Sequence, residues 1–112
     1  MAKKLFKNYN YEFDKNEAKI IITFCNQAIK QMMHDERFQK DVNAFQSVID
    51  KVTADPLSVK LTKDEKVRLT RQLEENVKFL KDKMDKTWFI PRWFYKSMYN
   101  QYITLLNEHF RD

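Results

Sequence analysis

Apolar residues recur along most of this chain at three- and four-residue intervals, the spacing of one helix face. The first stripe is Ala18, Ile21, Ile22, Cys25, Ala28, Ile29, Met32 and Met33. At roughly 100° per residue it covers an arc of about 120°, wide enough to face a core. Asp14 and Glu17 precede it at capping-box spacing, which predicts a helix over 14–34. A second stripe, Phe38, Val42, Phe45, Val48, Ile49 and Val52, does not continue the first. Phe38 would fall on nearly the opposite side of an unbroken helix. The pattern therefore predicts a break at His34-Asp35, with Asp35 capping a second helix over 36–53.

Pro56 pushes the residue before it out of the α region and ends that helix. Residues 57–61 read as a short extended connection. Thr62 and Glu65 form a further capping box and open a helix over 63–87, with Val67, Thr70, Leu73, Val77, Leu80 and Met84 inward. Its outer face sets Asp64–Arg68, Glu74–Lys78 and Asp82–Lys86 at i,i+4, each worth about 0.3 kcal/mol. Pro91 suits the first turn of a helix over 91–110, where its missing N–H costs nothing. There Phe94, Tyr95, Met98, Tyr99, Tyr102, Leu105, Leu106, His109 and Phe110 spread over roughly 160° of surface. The expectation is an all-α protein, an antiparallel four-helix bundle. One helical domain spans 14–112, and residues 1–13 form an amino-terminal arm pinned by Phe6, Tyr9, Tyr11 and Phe13.

Composition strengthens the helical reading. The chain has no glycine and only two prolines, whereas sheet proteins use glycine at hairpin turns and bulges. The same absence removes the P-loop, the dinucleotide fingerprint and the nucleophile elbow, each of which needs glycine. Cys25 is the single cysteine, so no intrachain disulfide forms and a reducing, cytoplasmic setting is expected. No apolar run approaches membrane-spanning length, and the basic start lacks the apolar stretch of a secretory signal.

Charge changes the picture more than composition does. Residues 12–85 hold fourteen basic and fourteen acidic side chains, which cancel. The net charge of +5 therefore arises at the two ends. Residues 1–11 carry Lys3, Lys4 and Lys7 and no acid; residues 86–107 carry Lys86, Arg92 and Lys96 and no acid. Eleven of the sixteen aromatic residues lie in the same regions, Phe6–Phe13 and Trp88–Tyr102.

The segment from Thr87 to Tyr99 is thus the foremost candidate site. Its rings would mostly fill the junction of the third and fourth helices, yet Trp93 projects to the polar side near Lys96. Trp88, Phe89, Arg92, Trp93 and Lys96 are the expected partner-binding residues, since tryptophan and arginine dominate interface hot spots. Phe79 stands opposite the apolar stripe of its helix and would be exposed. Cys25 reads as a small core residue with no neighbour on its face to generate thiolate. His34 reads as a helix-boundary residue and His109 as a partly buried one; the bundle metal signature Glu-x-x-His does not occur.

The expected function is a non-catalytic helical interaction or regulatory module that docks a protein partner, or a second copy of itself, through this basic aromatic end. No cofactor or metal is implied. The alternative is nucleic-acid or ribonucleoprotein binding through the same cations, by counterion release. Peripheral membrane contact ranks after both.

Overall fold

A computed structural model describes residues 9–86 and 92–110, and among them the side chains of 9–83 and 96–110. The architecture is all-α, as the pattern predicts, with four α-helices among the described residues. In chain order the elements are β1 (Tyr9–Tyr11), α1 (Lys15–Met32), α2 (Gln39–Ala54), β2 (Val59–Leu61), α3 (Lys63–Lys86) and α4 (Arg92–Leu105). A 3-10 turn at Glu36–Phe38 precedes α2, and a π-helical turn at Leu106–Phe110 follows α4. The chain divides into two compact units, Met1–Leu69 and Thr70–Asp112.

The first unit is built on a helix hairpin in which α1 and α2 lie against each other along their length. Asp14 is extended and caps α1 reciprocally: the Glu17 N–H donates to Asp14 Oδ1 (2.7 Å), and the Asp14 N–H donates to Glu17 Oε1 (2.9 Å). The inward face of α1 is Ala18, Ile21, Phe24, Cys25, Ala28 and Met32. Two expectations fail here. Phe24 is buried although it stood outside the predicted stripe, and Met33 is 52% exposed because the helix ends beside it.

The predicted break at His34-Asp35 is present, but its form differs. Asp35 caps the 3-10 turn, accepting the Arg37 N–H at 2.9 Å, and α2 starts only at Gln39. The tighter turn shifts the helical phase of α2 relative to a regular helix begun at Glu36. Phe38, expected inward, is consequently 38% exposed, and Ala44 joins Phe45, Val48 and Val52 on the buried face. At the other end α2 stops at Ala54, where Asp55 is extended before Pro56.

The amino-terminal arm becomes structure at β1, which pairs antiparallel with β2 in the register Tyr9↔Leu61, Asn10↔Lys60 and Tyr11↔Val59. Each strand alternates, with Tyr11, Val59 and Leu61 buried and Asn10 and Lys60 exposed. Phe13, at 1% exposure, follows the strand, and its N–H donates to Pro56 O at 2.8 Å. Tyr11 and Phe13 stack at 5.4 Å between ring centres. They pin the arm as expected; Phe6 lies outside the described residues.

The α3 capping box is closed by Thr62 and Glu65, and the inward positions of that helix are Glu65, Leu69, Leu73, Val77 and Leu80. Val67, expected inward, is 40% exposed. Glu65 faces Lys51 of α2, with Lys51 Nζ 2.6 Å from its Oε1. Position 69, one turn on, then also faces inward, while position 67, about 200° away, turns outward. In the second unit Tyr102, Leu105, Leu106 and Phe110 are the buried side of α4 and its π turn. No helix among the described residues is long and apolar enough to cross a membrane.

Candidate functional site

The expected partner-binding residues are only partly described. Trp88 and Phe89 lie outside the described residues, as does Pro91. Arg92 and Trp93 form the first turn of α4, where the described structure is that of the backbone. Lys96 is exposed one turn further on. It opens an outward face that continues through Ser97, Asn100, Gln101, Thr104 and Asn107, all exposed. The opposite side of the same helix is closed: Tyr102 is buried, and burial raises its phenol pKa.

Five of the eleven aromatic side chains near the chain ends are described. Among the described side chains of those segments, Tyr11, Phe13 and Tyr102 are buried, and Tyr9 and Tyr99 are half-buried. Tyr9 carries Lys66 Nζ 4.8 Å from its ring centre. Phe79 is 56% exposed, as its position opposite the stripe predicts, and Lys83 Nζ sits 5.4 Å from its ring centre.

A surface that the pattern did not predict lies at the corner between α1 and α2. Met33 and Phe38, both expected in the core, flank a connection in which the Arg37 side chain is 82% exposed. Asp35 fixes this corner. Its carboxylate accepts from Arg37 Nη2 at 2.7 Å and from Arg37 Nε at 3.1 Å, beside the backbone bond that caps the turn. Those bonds, side-chain first, hold the Asp35 carboxyl below its usual value. The guanidinium carbon in turn lies 5.6 Å from the Phe38 ring centre. The corner thus presents an aromatic, a thioether and an oriented guanidinium to water. The signal available in the sequence was the Asp-x-Arg spacing across a predicted break, which permits a bidentate pair within one turn.

Cys25 is fully buried, and desolvation pushes its thiol up to about 12, so it carries no thiolate at neutral pH. An open groove of about 330 Å³ runs between α2 and the start of α3. Four of its polar lining residues are already engaged: Thr62 and Glu65 in capping, Asp64 with Arg68 at 3.0 Å, and Asn43 with Gln39 at 3.0 Å. Arg68 also reaches Asp41 at 2.9 Å. His34 is exposed in the turn after α1, and His109 is half-buried in the π turn. The sequence matches no protein-family model, no curated protein and no solved structure.

Proposed function

We propose that this protein is a small non-catalytic helical module that docks a protein partner at the α1–α2 corner. The observation that carries the reading is the joint exposure of Met33 and Phe38 beside the Asp35-oriented Arg37. Aromatic residues, methionine and arginine are the types enriched at protein interfaces. Arg37 is held in place before binding, so less side-chain freedom is lost when a partner arrives. The sealed, unreactive Cys25 supports a non-catalytic role and a reducing, cytoplasmic compartment.

A photo-crosslinking amino acid in place of Phe38 tests the reading in cells. The expected result is one discrete protein adduct that is lost on Met33→Glu or Arg37→Ala, while the melting temperature stays that of the parent chain. The same crosslinker at the exposed Asp50 of α2 serves as control. Equal adducts from positions 38 and 50, or none from 38, would overturn the proposal.

A further inference from the structure

Sulfur in this protein is unevenly open to water. Four described side chains carry it: Cys25, Met32, Met33 and Met98. Cys25 is fully buried and keeps its proton at neutral pH, so it offers an oxidant no thiolate. Met32 is 8% exposed and Met98 is half-buried, whereas Met33 is 52% exposed. The contrast between the two neighbours follows from the helix. One residue turns the chain by about 100°, so Met32 completes the inward face of α1 and Met33 falls outside it.

The backbone at Met33 is held independently of its side chain. Its N–H donates to Ile29 O at 2.8 Å, and the Asp35 N–H donates to Met32 O at 3.1 Å. Chemistry at the sulfur therefore leaves both closing bonds of α1 in place. A solvated thioether reacts with hydrogen peroxide. A sulfur lone pair takes one oxygen, an S–O bond forms as the O–O bond breaks, and the second oxygen leaves with both protons as water. Sulfur loses two electrons and the peroxide gains them. The product is a sulfoxide, polar and chiral where the thioether was apolar and flexible. Two thiols of a sulfoxide reductase reverse the step: they become a disulfide, and the oxygen departs as water. At Met33 the new polar group falls on the corner where Phe38 and Arg37 are also exposed. A partner that covers that corner must then desolvate a strong acceptor instead of a thioether.

We infer that Met33 is a peroxide-modification site whose sulfoxide switches off docking at the α1–α2 corner. Its oxidation stands on exposure alone; the switching rests on the docking reading above. The test applies hydrogen peroxide to the full chain and to cells carrying the photo-crosslinker at position 38. Peptide mass mapping should find one added oxygen on Met33 while Met32 stays unmodified. The melting temperature should not move, and the position-38 adduct should be lost. Methionine sulfoxide reductase with dithiothreitol, added to lysate from those cells, should bring the adduct back. Met33→Leu keeps the apolar volume and removes the sulfur; it should retain its adduct through the same treatment. Oxygen appearing on Met32 as early as on Met33, or a melting temperature that falls on oxidation, would overturn the inference. So would loss of the adduct from Met33→Leu as readily as from the parent chain. An adduct that persists with Met33 oxidised removes the switch and leaves docking standing. An adduct absent before any peroxide removes docking, and the switch with it.

Discussion

The two capping boxes of the first unit share one motif and have different consequences. Asp14–Glu17 and Thr62–Glu65 each satisfy two backbone N–H groups by the same reciprocal exchange. The first is solvated, and its reciprocal bonds join residues at one helix end. The second is part-buried, and Glu65, at 8% exposure, also accepts from Lys51 Nζ of the neighbouring helix. A box in water stabilises one helix end; a box in the interior fixes where two helices meet. It also fixes the rotation of α3, because a carboxylate bound to α2 forces Leu69 inward and Val67 outward.

The largest effect should come from breaking the buried box. Glu65→Ala removes the reciprocal cap and leaves Lys51 Nζ without its partner, a loss of about 2 kcal/mol for a cap and a part-buried pair that solvent screens at Lys51. Urea denaturation reads it as a lower midpoint with an unchanged slope. If Glu65→Ala costs no more than a solvated cap, Glu65 does not tie α3 to α2.

Acid should sharpen the same contrast. Burial alone would raise the Glu65 pKa, but hydrogen bonds from Lys51, Ser47 and the Thr62 N–H outweigh it and hold the carboxyl below its ordinary 4.5. A depressed folded pKa gives stability that is complete above the unfolded value and declines as pH falls through the folded one. The stability gap between the parent chain and Glu65→Gln should therefore be flat near neutral pH and shrink below about 4.5. A gap that widens on acidification would mean that burial, not bonding, dominates at Glu65.

How far the sequence foretold this arrangement depends on the range over which each signal acts. Both boxes, the break after α1, the stop before Pro56 and the all-α class were legible, because capping and proline effects act within three or four residues. The sheet was not. Tyr9-Asn10-Tyr11 and Val59-Lys60-Leu61 alternate correctly, but three residues are too few for a period-two signal, and their pairing spans the whole helix hairpin. Val67 was misplaced because Leu73, Val77 and Leu80 suit either rotation of α3, and the deciding bond comes from Lys51. Phe38 was misplaced because a 3-10 turn alters the phase that a regular helix would keep. At the candidate sites, the outward direction of Phe79 was legible from periodicity alone. The exposure of Met33 and Phe38 depended on where the chain leaves α1 and enters α2, which hydrophobic spacing does not encode.

The solvated box should give a smaller loss than the buried one. Asp14→Ala removes the solvated cap at the start of α1, and about 1 kcal/mol is expected from urea midpoints. Hydrogen exchange should localise the effect, with faster exchange at the amides of the first turn of α1 and no change in α3. A matching loss of protection in α3 would mean that the two boxes are coupled, and the contrast between them would fail.

The smallest effects are predicted where side chains expected in the core proved to be outside. Val67→Lys and Phe38→Ser should each cost no more than about 1 kcal/mol, because both side chains are only partly covered. Removing a buried valine or phenylalanine would instead cost several-fold more through lost burial and a residual cavity. Phe38→Ser bears on function as well as fold. A chain that folds normally yet loses its partner at the α1–α2 corner separates docking from stability. A chain destabilised by about 2 kcal/mol or more would return Phe38 to the interior and remove that surface.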